Sequence, residues 1–345
     1  MQERWINSMS GVPWTRDKMD EAVEHLRRRA VIYFVVDADH PDDLLKLDEH
    51  VFAKRPDLIL SISPRDMKER YPVSFLSRLA GLRHVAALQL NLYHSNDLNE
   101  LGQLKGMKYL SIYSKKPQDL SFLTNYQELE YLSLRGKFVD LSPIGEVTSL
   151  DTLLLSVPIY DLSFISQLPR LKYLSIHDCT LEGSLDALIA STVRILRLAA
   201  IRHLTELDIL ASIPHLACLY LALPKVEQLF DFSRLEHLKQ LELDNMKGLR
   251  NIEHLWTARH LELLTLREIS SAVKAKDLEP LVGLDSLRQL DFQYIDFNKG
   301  RIAALREWIT QAGKEAILYE NIAEEQRIRP MDQEHLIQHL GWGGA

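Results

Sequence analysis

Apolar residues recur along most of the chain in a six-residue pattern whose first, fourth and sixth positions are apolar. The pattern occurs ten times, and the leucines at its fourth position are Leu88, Leu110, Leu132, Leu153, Leu174, Leu196, Leu219, Leu241, Leu264 and Leu290. Successive leucines lie 21 to 26 residues apart. Such a period is typical of solenoids, because each unit can bury its apolar face only against its neighbours. The sequence therefore predicts ten short stacked units over residues 82–297.

A second motif, of five residues, follows the six-residue pattern in three successive repeats, at intervals of 21 residues. It reads DLSFL from Asp119, DLSPI from Asp140 and DLSFI from Asp161. Serine followed by Phe or Pro favours the start of a 3-10 turn or a short helix. We expect the serine hydroxyl to cap a free N–H group there.

The two patterns together resemble leucine-rich repeats, of the short type found in bacterial internalins and in the regulatory subunit of protein phosphatase 1. The resemblance implies an α/β fold, a right-handed solenoid with a curved parallel sheet on the concave face and short helices or 3-10 turns on the convex face. The asparagine or cysteine usual before the return-segment leucine is mostly absent, and Cys179 alone keeps it. We therefore expect irregular side-chain capping of the turn carbonyls.

Residues 1–81 lack the short period and alternate between helix-like and strand-like patterns. The predicted helices cover residues 16–29, 41–50 and 73–82, and the predicted strands cover residues 31–36 and 58–62. This alternation predicts longer, helix-bearing repeats that extend the same sheet as an N-terminal cap.

Residues 298–345 are predicted to form a C-terminal cap and tail. The pattern there predicts a helix over 301–312, a last strand over 316–319, a polar connection over 324–329 and a terminal helix over 332–340. Trp342, in the glycine-rich end of the chain, is expected to dock on the protein or to contact a partner.

Charge and cysteine content narrow the class of protein. The 345 residues carry 41 Lys and Arg against 48 Asp and Glu, a net charge of −7. No basic field is therefore available to hold nucleic acid or anionic lipid. The longest apolar stretch, 216–223, is too short to cross a membrane. Two cysteines and the lack of an apolar leader favour a cytoplasmic location.

The sequence contains none of the common catalytic motifs, and we predict neither an enzyme nor a bound cofactor, metal or small-molecule substrate. His335 and His339 lie one helical turn apart, a spacing that suits a metal, but a polar stripe on a terminal helix is the favoured interpretation. The acidic loop over 37–43 lacks the glycine and distal glutamate of a calcium loop. Cys179 and Cys218 belong to different repeats and are interpreted as structural. An enzymatic site in the N-terminal 80 residues or the tail is the alternative from another class.

The residues between the leucines are predicted to face the concave surface, where Tyr109, Tyr131 and Tyr173 form one row. Tyrosine and arginine often anchor protein interfaces. The predicted partner-binding residues are Tyr109, Tyr113, Tyr131, Arg135, Tyr173, His177, Arg197, Tyr220, Glu242, Asp244 and Arg267. The alternative is that tyrosines on adjacent strands stack on each other and only stabilise the sheet.

These observations predict a non-enzymatic module that binds another protein through its concave face. One role is the inhibition of a toxin or effector, as an immunity protein does; the alternative is a regulatory subunit or scaffold for a cytoplasmic enzyme such as a phosphatase. The net acidity favours a basic partner protein, and neither nucleic acid nor membrane is expected to bind.

Overall fold

The computed structural model describes residues 6–292 and 300–340. The chain divides into two compact units. The first unit comprises Met1–Val157, Gln167–Leu171 and Leu336–Ala345, and the second comprises Pro158–Ser166 and Lys172–His335. Each unit is built on a parallel sheet.

In the first unit the strands pair in chain order, each parallel to the next. Its described strands are β1 (Ile6–Ser10), β2 (Leu26–Val36), β3 (Ile59–Pro64), β4 (Ala87–Leu92), β5 (Tyr109–Gln118), β6 (Tyr131–Phe138) and β7 (Thr152–Ser156). Strand β3 pairs with β4, so the sheet of the long N-terminal repeats continues into the short repeats.

The second unit has the same parallel order. Its described strands are β8 (Tyr173–His177), β9 (Ile195–Ala199), β10 (Cys218–Ala222), β11 (Gln240–Leu243), β12 (Leu263–Leu266) and β13 (Gln289–Asp291). Neighbouring repeats are in phase, since Leu219 lies beside Leu196 on one side and beside Leu241 on the other.

The repeated leucines form the core of both sheets. All ten leucines at the fourth position of the pattern are 0% exposed. Burying a leucine side chain contributes roughly 1.5–3 kcal/mol, so this column is the main apolar contribution of each repeat. The predicted register and the predicted fold class are confirmed.

The return segments contain 3-10 helices, among them Ser121–Asn125 and Ser142–Glu146. The prediction that the serine hydroxyl accepts a hydrogen bond from a free N–H of these turns is wrong. The acceptor is an aspartate carboxylate, and the serine N–H is the donor. The Ser121 N–H donates to Asp119 Oδ1 at 2.7 Å, and the Ser142 N–H donates to Asp140 Oδ1 at 2.9 Å. The serine hydroxyls donate to the same aspartates, because a carboxylate two residues earlier is the stronger acceptor.

The first and third N-terminal helices end earlier than the sequence predicts, and the second helical segment is shifted by two residues toward the C-terminus. They are α1 (Arg16–His25), α2 (Asp43–Leu47), which continues as a π-helical turn over Asp48–Phe52, and α3 (Val73–Ala80). The predicted helix over 16–29 is wrong beyond His25, where β2 begins. Three successive arginines hide the alternation of the strand, and Arg29 adopts a left-handed φ of 62°. Strand β1 was not predicted, because INSMS has no apolar alternation.

At the C-terminal end of the described chain, α4 spans Gly300–Gln311 and α5 spans Met331–Leu340. The predicted strand over 316–319 is wrong. Two 3-10 turns lie there, Glu315–Ile317 and Tyr319–Asn321, and a single bridge joins Leu318 to Leu290. Only Leu318 is extended between the two turns. The prediction for Trp342 falls outside the described residues.

Among the helices of residues 6–292 and 300–340, none has the length and apolar character that a membrane crossing requires.

Candidate functional site

The residues that alternate with the core leucines lie on the opposite face of each sheet, which we call the strand face. In the first unit, Tyr109 and Tyr131 occupy paired positions of β5 and β6. Their rings stack with centroids 4.4 Å apart and planes 10° from parallel. Both tyrosines are buried, 7% and 3% exposed. This pair therefore stacks across the sheet, as the alternative interpretation of the tyrosine row predicts.

The last residues of α5 cover this tyrosine pair within the first unit. Leu336 and Leu340 pack against the cluster that contains Tyr109 and Tyr131. His339 Nε2 lies 3.1 Å from Asp151 Oδ1, and its ring centroid lies 5.7 Å from that of Tyr131. Removal of the Tyr109 side chain from water raises the pKa of its hydroxyl.

In the second unit, Tyr173 is 1% exposed. His335 stacks on it with ring centroids 5.3 Å apart and planes 9° from parallel. Burial raises the pKa of the Tyr173 hydroxyl. Asp332, also in α5, forms an ion pair with Arg197 of β9. The Arg197 guanidinium in turn lies 3.7 Å from the centroid of the Tyr220 ring.

Two glutamines of the second unit hold the main chain just before α5. Gln289 Nε2 donates to the Ile328 carbonyl at 3.3 Å, and the Ile328 N–H donates to Gln289 Oε1 at 2.7 Å. Gln240 Nε2 donates to the Arg329 carbonyl at 3.1 Å, and the Met331 N–H donates to Gln240 Oε1 at 2.7 Å. Each glutamine amide thus uses both its donor and its acceptor on backbone groups.

Charged residues of the second unit form a network beside these glutamines. The Tyr220 hydroxyl donates to Asp244 Oδ2 at 3.0 Å. Arg267 lies 3.4 Å from a Glu242 oxygen and 3.8 Å from an Asp291 oxygen. Burial raises the pKa of the Glu242 carboxyl. A cavity of about 410 Å³ lies between this network and the chain that precedes and begins α5.

The first unit presents a second group of side chains, Tyr93, Tyr113 and Arg135. Tyr93 directly follows β4, and Tyr113 and Arg135 are paired residues in the middle of β5 and β6. Tyr93 and Tyr113 meet edge to face with ring centroids 5.8 Å apart. The Arg135 guanidinium lies 6.0 Å from the Tyr113 ring centroid. Both tyrosines are half-buried and Arg135 is exposed. We call these three residues the Tyr113 group.

No protein-family profile matches the sequence, and no curated protein does. Among solved structures, the chain is similar to an internalin, inlF, from Listeria monocytogenes, with 20% identity over 73% of this chain and 79% of that chain and a TM-score of 0.46. It is also similar to internalin C2 from the same organism, with 17% identity over 64% of this chain and 83% of that chain and a TM-score of 0.38.

The fold is identified from the parallel strands of the chain and from their buried leucines. The repeats have the leucine-rich-repeat fold. The repeats place the predicted residues on the strand face, but in separate surroundings. Tyr109, Tyr131 and Tyr173 are buried, whereas Tyr113, Arg135 and His177 keep accessible surface. Arg197, Tyr220, Glu242, Asp244 and Arg267 line the cavity of the second unit. Binding of a partner by any of these residues stays a prediction.

The sequence did not indicate that residues of α5 cover the strand face. It also did not indicate that Tyr93 contacts Tyr113, or that Gln240 and Gln289 bind backbone groups of residues 328–331. Gln240 and Gln289 do occupy the predicted outward row, and Tyr93 directly follows β4. The amphipathic spacing of Leu336 and Leu340 was the only signal for a docked helix.

Both cysteines are free and buried. Burial raises the pKa of the Cys179 thiol to about 11 and raises that of Cys218 as well. Because the thiolate is the reactive form, neither thiol has the depressed pKa that a catalytic nucleophile requires at neutral pH.

Proposed function

We propose that the chain is a non-enzymatic protein-binding module whose accessible contact surface is the Tyr113 group of the first unit. The observation that carries the proposal is the edge-to-face tyrosine pair with an exposed arginine beside it, in which Tyr113 and Arg135 are paired residues of adjacent strands. Tyrosine and arginine are the residue types that most often dominate binding energy. Their positions on a rigid sheet reduce the entropy lost on association.

Two roles are proposed for this binding in a reducing, cytoplasmic setting. The first is occlusion of a toxin or effector, as an immunity protein acts, and the second is regulation or scaffolding of an enzyme such as a phosphatase. The net charge of −7 supports a basic partner in both cases, since opposite charge speeds encounter. Assay of the captured partner with and without the chain distinguishes the roles: occlusion abolishes its activity, whereas regulation leaves an altered activity.

The test begins with capture of partners from native lysate on the full chain, followed by calorimetric titration of the purified partner. Tyr113→Ala and Arg135→Ala are each expected to weaken binding by about 2 kcal/mol, roughly 30-fold. Lys137→Ala is the matched control, since Lys137 is exposed on the same strand. Unchanged affinity in both variants, with unchanged melting temperature, would remove the Tyr113 group from the interface.

A further inference from the structure

The second unit holds a segment of its own chain by atoms that are suited to any peptide. We propose that Gln240, Gln289 and Arg197 form a peptide-binding track, which residues 328–332 occupy in cis, and that an extended partner segment followed by an acidic residue binds the same atoms. This proposal concerns the second unit and does not depend on the Tyr113 group.

The two glutamines recognise backbone and not side chains. Gln289 pairs with the N–H and the carbonyl of one residue, Ile328, as a neighbouring β-strand would do. Gln240 spans from the Arg329 carbonyl to the Met331 N–H. Both side chains are buried: Gln240 is 4% exposed and Gln289 is 5% exposed. Because every peptide carries these backbone groups, the pair can hold an extended segment of almost any sequence.

Arg197 adds a requirement for charge. The carboxylate it binds, Asp332, is 6% exposed and lies in the first turn of α5. A carboxylate there also interacts favourably with the positive end of the helix. Since Arg197 is half-buried and an arginine that is partly removed from water gains from a counter-ion, the track favours a segment with Asp or Glu after the extended residues. The partner peptide is therefore a non-helical stretch of three residues, as in 328–330, followed by a helix whose first turn carries an acidic residue.

A buried thiol reports whether the track is covered. Cys218 lies on the strand face between Ile195 and Gln240, and it is 6% exposed. The backbone of Asp332 lies close to the Cys218 thiol. Departure of the cis segment would therefore expose Cys218. Cys179 lies in the turn after β8 and is equally buried, so its reactivity reports general unfolding.

The experiment uses the full chain and a fluorescent synthetic peptide with the sequence of residues 326–335. Asp332→Ala removes the ion pair to Arg197, so the cis segment is expected to leave and the variant to bind the peptide at least tenfold more tightly than wild type. Glu334→Ala, an exposed acid on the same turn, is the matched control and should bind as wild type does. Adding Gln240→Ala and Gln289→Ala to Asp332→Ala should abolish binding, and a peptide with Asn in place of its Asp should bind at least tenfold more weakly.

Iodoacetamide labelling supplies the second readout. Asp332→Ala should accelerate the labelling of Cys218 but not of Cys179, and added peptide should slow it again. Ile328→Pro, which removes the N–H donated to Gln289, is a second opening variant. Fast Cys218 labelling without peptide binding would make the segment a simple cover and overturn the proposal. Failure of both variants to expose Cys218 would make residues 328–332 a permanent part of the fold, which overturns it equally.

Discussion

Single aspartates fix the start of the return segments in the first unit. Asp119 and Asp140 each accept hydrogen bonds from the N–H and hydroxyl of a serine two residues later. These bonds favour the charged form, since the side-chain and backbone groups of Ser121 and Ser142 hold the pKa of the two carboxyls below its ordinary value. In the DLS motif, the aspartate therefore stabilises the turn.

Replacing both carboxylates with amides should destabilise the first unit in a pH-dependent way. Because the folded pKa is lowered, the stabilisation is complete above the unfolded pKa of about 3.9 and is lost as pH falls through the folded value. Asp119→Asn with Asp140→Asn is expected to lower the free energy of unfolding at pH 7 by no more than about 1 kcal/mol per site, since water screens exposed groups. Denaturant unfolding at pH 7 and pH 3 measures the difference, which should narrow at pH 3. Glu128→Gln, an exposed control, should change neither value; a gap that stays constant with pH would contradict this assignment.

The core leucines give the strongest single-residue prediction. Leu174 is 0% exposed in β8. Leu174→Ala should cost about 2–5 kcal/mol, because it leaves a cavity between stacked repeats. Leu174→Asp should unfold the second unit, because it buries an unpaired charge. Thermal unfolding followed by circular dichroism measures both effects. Lys172→Asp places the same charge at an exposed position nearby and should melt as wild type does.

At the scale of elements, the sequence predicts structure where one pattern recurs many times. It does not predict a contact that two distant residues make only once. The strand register followed from ten copies of one pattern, and all ten central leucines are buried. Arg197 and Asp332, by contrast, lie 135 positions apart, and nothing near either residue indicates the other. The burial of the predicted tyrosines depends on such contacts. The fold was therefore readable from sequence, whereas the accessible part of the strand face was not.

The last residues of α5, which belong to the first unit, should be held there mainly through their leucines. Leu336 and Leu340 pack against the cluster of Tyr109 and Tyr131. Leu336→Ala with Leu340→Ala should destabilise this contact by about 1 kcal/mol per residue, because both leucines are only partly buried. Hydrogen exchange of residues 336–340 should then speed up, whereas exchange in β8 to β13 should not. Gln338→Ala, an exposed control between the two leucines, should leave exchange unchanged; equal exchange in all variants would show that the leucines do not hold the helix.

At the scale of the whole molecule, the proposed function predicts that net charge sets the association rate of a partner and that the Tyr113 group sets its dissociation rate. The chain carries 48 acidic against 41 basic residues, so a basic partner is attracted before contact. The association rate constant should fall by about tenfold when ionic strength rises from about 0.05 M to about 0.5 M, because the Debye length shortens accordingly. Tyr113→Ala should raise the dissociation rate constant and leave that salt dependence unchanged, since the removed group is neutral. Stopped-flow mixing with the purified partner measures both constants. An association rate that is independent of salt would exclude a basic partner, and it would leave the Tyr113 group to be judged on dissociation alone.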